Sequence, residues 1–578
     1  MTRLPRARPA LLALPLALLC ACPPPNVPPP PAEVVVRPAG EASRWFAADI
    51  DAGRALELVD FLDRRFREPG NAPYRESLDE LESRLRGAGF GTDDRLLLER
   101  WTLDEDATTW EPLSASLEVV APEPELLQSF SPADDRQRTM LLIGSPGTSG
   151  PLEVDLVEDG EADPKGCAVL ADGMPEGEYR RLADAGAAVA LFAADARLEG
   201  RVSDDEAIPF GNVAAGDWGP VALRLSRSTE RRLRELLHKG EPVVLRVGAS
   251  VLRERGPVEM LHAEIRGGPL PGILFAAHLD EPGAEDNASG VAVAAALAEL
   301  FGRGIHEGGA PAPNRSFHFV VGPEIDHAEE AADRLRDTLG WAVALDQVGR
   351  PRGPESSRHP TRALVERAPD PSQRWRADIG PGSGWLAGGD SGEATWSRAE
   401  PSLLADVLVV LLREAGGGWE SHPFEGGSDH VPFLAAGIPS ALVWRFPDPT
   451  YHTSLDRIGP SVVSQDDLAE VGRGCASVIA SLGWEDGATV ARAAAAPWAA
   501  RVDILAMLTP GAEAACAWSR WLEQAADELE SMLGTACAAS PATAAALAEV
   551  LGAATRLGDE CLRSTIGSGR GGRRGGGA

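Results

Sequence analysis

Residues 277–290 read AHLDEPGAEDNASG and join a predicted strand to a predicted helix. The strand is the apolar run Ile273–Ala277, and the helix is the alanine-rich run Ser289–Phe301. His278 lies just after the strand, and Asp286 lies just before the helix. An imidazole and a carboxylate in these places can bind one metal ion, since nitrogen and oxygen donors are usual zinc ligands.

The chain after Glu259 alternates apolar strands with amphipathic helices. This alternation predicts an α/β fold with a mostly parallel central sheet flanked by helices. Ligands of such sheets bind beyond the carboxyl ends of the strands, where His278, Glu324 and Asp346 are predicted to lie. The strand candidates are Leu261–Ile265, Ile273–Ala277, Ser316–Val321, Trp341–Leu345 and Ser440–Trp444, and the helix candidates are Ser289–Phe301, Ala328–Leu339, Ser402–Ala415 and Gln465–Leu482.

Three further segments contribute possible ligands: PE at 323–324, LDQVG at 345–349 and YHT at 451–453. With the 277–290 stretch, they resemble the co-catalytic two-zinc aminopeptidase family, which includes bacterial leucyl aminopeptidases and glutamate carboxypeptidase. The resemblance runs from about His262 to Ile458. It implies two zinc ions, with metal ligands His278, Asp286, Asp346 and His452.

The resemblance also implies a role for each of these side chains. Asp286 would bridge the two ions, and Asp280 would hold the His278 imidazole, as metal-binding histidines generally require. Tyr451 would donate a hydrogen bond to the oxyanion. SDHVPF at 428–433 with AGIP at 436–439 matches a further block, expected to be scaffold with Asp429 or His430 behind the ligands.

One block departs from the family pattern, which has two adjacent Glu residues, a general base followed by a zinc ligand. Here Glu324 is followed by Ile325, so one carboxylate is missing. Spacing favours Glu324 as the base, and a shift of one residue would make it the ligand instead. Asp326, His327 or Glu329 could supply the absent group. If none does, the second zinc is weakly held or absent.

Other regions flank this predicted catalytic domain at 256–485. Residues 45–150 are interpreted as the N-terminal part of the peptidase region, with a strand candidate at Thr139–Ile143. Residues 151–255 resemble the protease-associated domain, a smaller α+β unit. Residues 490–565 predict a helical C-terminal domain, and residues 566–578 a disordered Gly/Arg tail.

The N-terminus predicts export. Residues 1–22 have a basic start and a short apolar run, typical of a signal peptide. LCAC at 19–22 resembles a bacterial lipoprotein cleavage box, which implies lipidation of Cys22 and a location in the cell envelope. Ordinary secretion is the alternative. Residues 23–44 are interpreted as a proline-rich tether.

Charge limits the range of partners. A formal net charge of −32 argues against nucleic acid and against an anionic membrane surface as a general partner. We therefore expect contact with a membrane only through a lipid at Cys22, while the resemblance to the aminopeptidase family implies a peptide or aminoacyl substrate.

A serine protease is a second possible interpretation, because Ala276–His278 and GDSG at 389–392 resemble trypsin-like segments. Those enzymes are paired β-barrels, whereas His278 here precedes a strong helix, so we reject this match.

The sequence thus predicts an exported zinc-dependent exopeptidase, with aminopeptidase activity as the first expectation and carboxypeptidase or dipeptidase activity as the second. Two other classes remain open. One is a degenerate binding lipoprotein that has lost a ligand, and the other is a one-zinc aminoacyl transferase or cyclase.

Overall fold

A computed structural model of the protein describes residues 41–47, 49–193, 204–213, 219–353, 360–371, 399–497, 512–538, 541–553 and 555–556. Several predicted features lie outside these residues: the signal peptide at 1–22 with Cys22, most of the tether at 23–44, the GDSG segment at 389–392 and the tail at 566–578.

The described residues form two β-sheets, each with its own buried apolar cluster. The strands, in chain order, are β1 (Leu96–Thr108), β2 (Glu111–Ala121), β3 (Glu125–Phe130), β4 (Leu152–Glu158), β5 (Ala168–Ala171), β6 (Val189–Phe192), β7 (Val221–Arg224), β8 (Val244–Leu252), β9 (Arg255–Ile265), β10 (Leu270–His278), β11 (Arg315–Gly322), β12 (Leu339–Leu345), β13 (Arg362–Glu366), β14 (Glu420–His422) and β15 (Ser440–Phe446).

The helices connect these strands and cover both sheets. They are α1 (Ala52–Asp63), α2 (Ala72–Gly87), α3 (Pro175–Asp184), α4 (Arg227–His238), α5 (Ala288–His306), α6 (Asp326–Leu335), α7 (Leu404–Ala415), α8 (His430–Ala435), α9 (Gln465–Trp484) and α10 (Ala512–Ala538), with further helical segments at 488–497 and Pro541–Ala553.

The larger sheet has eight strands in the order β1-β9-β11-β10-β12-β15-β13-β14. Its four central strands, β11, β10, β12 and β15, are parallel, and β9 and β1 join one edge in antiparallel pairing. This confirms the predicted α/β class with a mostly parallel sheet. His278 at the end of β10 is paired with Gly322 at the end of β11, so the chain leaves both strands at the same end of the sheet, which is the carboxyl end of its parallel strands.

Both faces of the larger sheet are covered, which explains its continuous apolar strands. On β10, Ile273 and Phe275 pack into the cluster that includes α5, whereas Leu274 and Ala276 pack with residues of α6 and α8. Helix α5 begins at the Asn287 cap, whose side chain accepts a hydrogen bond from the Gly290 N–H. This helix is long and apolar enough to cross a membrane, but 89% of its apolar 18-residue stretch is buried inside the protein.

The smaller sheet has seven strands in the order β3-β2-β8-β4-β5-β6-β7. It therefore takes in β2 and β3, which precede the boundary predicted at residue 151. The strand predicted at Thr139–Ile143 is wrong: a 3-10 helix at Arg138–Met140 occupies its start. Arg138 there donates hydrogen bonds to carbonyl oxygens of Asp63 and Pro282, so this segment lies where the two units meet.

The C-terminal helix α10 packs on the apolar core of the larger sheet, through residues such as Trp518, Leu522 and Leu529. Glu528 on this helix accepts hydrogen bonds from the Trp341 indole and from the Ser402 hydroxyl, the latter at 3.2 Å. Burial of its carboxyl group raises the pKa of Glu528 to about 8, against the opposing effect of these two donors.

We expect Glu528→Gln to flatten the pH dependence of stability between pH 5 and pH 8. The unfolded chain releases the Glu528 proton near its ordinary pKa of about 4.3, whereas the folded chain keeps it until about pH 8. The free energy of unfolding of the wild type therefore falls as the pH rises through this window. Glutamine has no such proton. Urea unfolding at several pH values checks this, with Glu530→Gln on an exposed position of α10 as the control. Equal slopes for the Glu528→Gln variant and the wild type would contradict the expectation.

Candidate metal centre

Donor side chains converge where the central strands of the larger sheet end. His278 is the last residue of β10, Glu324 follows β11 by two residues, and Asp346 comes directly after β12. His452 lies in the loop after β15, and Asp286 lies just before α5. The structure therefore brings together the four residues that the sequence suggested as metal ligands.

The first group of donors comprises His278, Asp286 and Asp346. Nε2 of His278 lies 3.6 Å from Oδ1 of Asp286 and 3.5 Å from Oδ1 of Asp346. All three residues are buried. Ligands of a tetrahedral zinc at about 2.0–2.1 Å stand about 3.3–3.4 Å from one another. The spacing of the donor atoms is thus close to what such an ion requires.

The second group comprises His452, Asp286 and Glu281. Nε2 of His452 lies 3.2 Å from Oδ2 of Asp286 and 3.4 Å from Oε2 of Glu281. Asp286 consequently offers one carboxylate oxygen to each group, as a bridging ligand must. Two ions that share a carboxylate in this manner lie about 3.5–4 Å apart in two-metal hydrolases.

Glu281 was missed at the sequence level, although it lies inside the 277–290 stretch. It offers the carboxylate that Ile325 does not. Neither donor group contains the residues that the sequence offered in place of the missing carboxylate, which were Asp326, His327 and Glu329. Nδ1 of His327 instead lies 2.8 Å from the Pro323 carbonyl oxygen. Glu324 is also outside both groups.

The electrostatics of the site favour a bound cation. Nε2 of His278, Oδ1 of Asp346 and Oε2 of Glu281 are buried without a hydrogen-bond partner among the described residues. Burial, and then the neighbouring carboxylates Glu281 and Asp346, raise the pKa of Asp286 well above its usual range. Burial likewise raises the pKa of Glu281 to about 8. Buried like charges of this kind are stabilised by a metal ion, which takes the place of their protons.

Backbone strain is concentrated at the same site. Among the described residues, non-glycine residues with positive φ are Glu281 (72°), Ile325 (64°), Gln347 (52°) and His452 (54°). Two of them are donors, and the other two directly follow Glu324 and Asp346. Such conformations cost about 1–3 kcal/mol each and cluster at functional sites. For β-branched Ile325 the conformation is particularly unfavourable.

Asp456 fixes the backbone of the bridging residue. Its two carboxylate oxygens accept hydrogen bonds from the N–H groups of Glu285 and Asp286, both at 2.9 Å. Asn287 ties the same turn to β12 through a 2.9 Å hydrogen bond to the Leu345 carbonyl. These contacts hold Asp286 between the two donor groups.

The Ser428–His430 segment supports the opposite side. The Ser428 hydroxyl donates to Oδ2 of Asp346 at 2.9 Å, and Oδ1 of Asp429 accepts from the Ile325 N–H at 3.0 Å. Nε2 of His430 lies 2.9 Å from the buried Glu366 carboxylate. The segment therefore acts as scaffold behind the ligands.

Asp280 makes two contacts at the centre. Its Oδ1 lies 3.7 Å from Nδ1 of His278, beyond hydrogen-bond distance, and accepts a 2.9 Å hydrogen bond from the Glu324 N–H. The second contact was not anticipated. It fixes the backbone at Glu324, whose pKa is raised well above its usual range by burial first and then, against the effect of His278, by Glu281.

Two buried arginines hold the loop that carries Glu281. Arg67 donates to the carbonyl oxygens of Leu279 (2.7 Å) and Gly283 (2.8 Å), and Arg138 donates to that of Pro282 (2.7 Å). Carbonyl groups on both sides of Glu281 are thus fixed, which helps to maintain its positive φ.

Other histidines lie elsewhere. His262 and His318 form a buried pair on β9 and β11, 3.1 Å apart, beside Trp101. Neither belongs to a donor group. Tyr451 lies in the site with its ring stacked on His452, at a centroid distance of 3.7 Å.

Comparison with known proteins gives a likeness of fold. No protein-family model and no curated protein matches the sequence. Among solved structures, a peptidase M28 precursor from Shewanella amazonensis aligns with a TM-score of 0.51 and 17% identity, covering 74% of this chain and 93% of that one. This chain has the fold of that M28 peptidase.

Two other solved structures align slightly below that TM-score. A zinc aminopeptidase from Bacillus subtilis gives 0.49 at 17% identity, covering 76% of this chain and 96% of that one. An aminopeptidase from Aneurinibacillus sp. strain AM-1 gives 0.48 at 16% identity, covering 76% and 95%. The likeness to the Shewanella structure, at 17% identity, establishes the fold alone, so function depends on the site itself.

In a centre that binds one zinc ion at each donor group, we expect Glu281→Gln to remove the ion of the second group. An amide is a poorer ligand than a carboxylate, and the change leaves His278, Asp286 and Asp346 in place. Elemental analysis after dialysis at limiting zinc measures this. Glu329→Gln is the matched control, because Glu329 is an exposed acid on α6 that lies outside both donor groups. Unchanged zinc in Glu281→Gln, or loss of one ion in Glu329→Gln, would contradict this assignment.

Proposed function

We propose that this protein is a zinc-dependent exopeptidase that removes residues from the N-terminus of peptides. The observation that carries the proposal is the pair of donor groups sharing Asp286, with the Glu324 carboxyl at the same edge of the sheet. The donor set suits zinc, because it consists of imidazole nitrogens and carboxylate oxygens at suitable mutual distances. We propose two ions, with Glu281 completing the second site.

When bound, zinc would lower the pKa of a water molecule and polarise the scissile carbonyl group. Glu324 is the base in this proposal: its carboxylate takes a proton from that water and returns it to the leaving amine. Burial raises the pKa of Glu324 above its usual range, which is the direction expected for a carboxyl group that acts as a general base. Asp280 keeps Glu324 in place by accepting a hydrogen bond from the Glu324 backbone N–H.

Tyr451 is proposed as the donor to the oxyanion. Its ring lies against that of His452, so its position is tied to the second donor group. Burial, and then the carboxylates of Asp286 and Glu281, raise the pKa of the Tyr451 hydroxyl well above its usual value. The hydroxyl therefore keeps its proton at neutral pH, as a hydrogen-bond donor must.

Substrate access is proposed from the side of the second group. The His452 side chain is 30% exposed, whereas that of His278 is 1% exposed. A peptide reaching the ions from this side meets His452, Glu281 and Tyr451 first. The preference for an N-terminal residue follows from the resemblance of the sequence motifs to aminopeptidases, with carboxypeptidase or dipeptidase action as the alternative.

Export and lipid anchoring also remain proposals that rest on the sequence. The basic start, the apolar run and the LCAC box at 19–22 support delivery to the bacterial cell envelope with a lipid on Cys22. The strong negative charge argues against a nucleic-acid partner, and the motif resemblance supports a peptide substrate. Metabolic labelling with a radioactive fatty acid tests the anchor, which Cys22→Ala should abolish.

The two alternatives predict different metal contents. A degenerate binding protein would hold no zinc at neutral pH, and a one-zinc transferase or cyclase would hold a single ion. The degenerate interpretation arose because Ile325 replaces a ligand, and Glu281 now offers that ligand from another loop. This contact favours the two-ion peptidase.

We expect Glu324→Gln to keep both zinc ions and to lower kcat for an aminoacyl-p-nitroanilide by about 10²–10⁴-fold, the usual contribution of a general base. Zinc analysis and steady-state kinetics on the same preparations test this, with Glu329→Gln as the control that keeps full activity. A Glu324→Gln variant with half the zinc would identify Glu324 as a ligand. A wild type that binds no zinc or hydrolyses no aminoacyl or peptidyl amide would refute the proposed function.

A further inference from the structure

The imidazole of His452 lies between two aromatic rings that come from different parts of the chain. The Phe210 ring lies at a centroid distance of 4.4 Å with an interplanar angle of 41°, and the Tyr451 ring at 3.7 Å with an angle of 22°. Tyr451 is the sequence neighbour of His452, whereas Phe210 lies between β6 and β7 of the smaller sheet. His452, a candidate metal ligand in the loop after β15 of the larger sheet, is therefore in contact with Phe210 from a loop of the smaller sheet.

Backbone hydrogen bonds fix this packing. The Phe210 N–H donates to the His452 carbonyl at 2.9 Å, and the Ser454 N–H donates to the Ile208 carbonyl at 2.8 Å. The Ile208 N–H in turn donates to the Ser454 hydroxyl at 3.1 Å. Pro209 and Thr453 form a β-bridge between these bonds. Segment 207–210 thus runs beside the loop that carries His452, like a short additional strand.

Both ends of segment 207–213 are anchored in the smaller domain, which comprises the seven-stranded sheet and the segments packed on it. Ile208 is fully buried in the apolar cluster of the smaller sheet, and its carbonyl also accepts a 2.9 Å hydrogen bond from the Thr139 hydroxyl. Beyond Phe210, the Val213 N–H donates to the Ile143 carbonyl at 2.9 Å, and Val213 is buried beside β5 and β6. Phe210 is therefore held by the body of the smaller domain.

Two features of His452 make this packing important for the position of its imidazole. Its φ of 54° is unfavourable, and its side chain is 30% exposed. The ring's ion pairs with described residues run through Nε2, the atom facing Asp286 and Glu281. Metal-binding histidines usually have the ring fixed by a hydrogen bond from the other nitrogen. Here the two flanking rings restrict the imidazole instead.

We propose that Phe210 is a positioning residue for the second metal ion, so that the smaller domain completes the metal centre. This inference depends on the proposed function, because it assumes that His452 binds an ion. In it, the Phe210 ring limits rotation of the His452 imidazole and keeps Nε2 directed towards Glu281 and Asp286. The first donor group does not contain His452 and is expected to be unaffected.

The test is stepwise zinc binding to the metal-free, full-length chain, measured by calorimetry with a competing chelator. We expect Phe210→Leu to weaken the second equivalent by about 10–100-fold, as is typical when support behind a ligand is lost, and the first by less than about threefold. Phe210→Tyr keeps the ring and should bind both equivalents as the wild type does. Phe192→Leu, in the core of the smaller domain on β6, is the control for general loosening.

Three outcomes would overturn the inference. Phe210→Leu could bind the second ion as tightly as the wild type, could lose both equivalents equally, or could match Phe192→Leu. None of these three results would contradict the proposed function as a two-ion peptidase. A wild type that binds no zinc, in contrast, removes the proposed function and this inference together, so the two failures are distinguishable.

Hydrogen exchange gives a second measurement that is independent of any variant's folding. Because binding and positioning are reciprocal, zinc should slow exchange of the Phe210 and Ser454 amides, which pair across the two segments. We expect at least about a tenfold slowing, equivalent to a coupling within the common range. Zinc that protects the Asp286 region and leaves these two amides unchanged would argue against a positioning role.

Discussion

The carboxylate of Asp286 is the constraint on which the rest of the site depends. It is buried, and each of its oxygens faces a different histidine, His278 on one side and His452 on the other. A carboxylate so placed, with Glu281 and Asp346 nearby, is unfavourable unless positive charge lies between the groups. The loops of the site are therefore best understood as the means of keeping several acids close together in a protein interior.

The surrounding structure offsets that cost with polar contacts from many parts of the chain. Asp456 binds the backbone of Asp286, Ser428 binds Asp346, and Asp280 binds the backbone of Glu324. Arg67 and Arg138 bind carbonyl groups around Glu281. Because each supporting group comes from a different segment, the strained residues persist only in the complete fold. The segment that follows α1 and the 3-10 helix at Arg138–Met140 therefore both take part in holding this group of acids.

The position of Glu281 illustrates how a donor group can be completed from a loop other than the one that the sequence motif suggests. The sequence pattern led us to expect two adjacent acids after β11, and only Glu324 is present there. The second donor group is instead completed from the loop after β10, since that loop ends at the same edge of the sheet. In a parallel sheet, loops after neighbouring strands reach common space, so a ligand can come from either one.

The sequence by itself determined the α/β class and most of the central strands and helices, because these depend on local periodicity, and its motif resemblance indicated four of the five donor residues. It did not reveal Glu281, whose backbone has positive φ and lies between two carbonyl groups that accept hydrogen bonds from Arg67, more than two hundred residues earlier in the chain. Nor did it reveal Phe210, which contacts His452 across more than two hundred residues. The tertiary structure alone decided these two, since the direction of a loop and the meeting of two domains are set by distant hydrogen bonds and packing, which leave no periodic trace in the sequence.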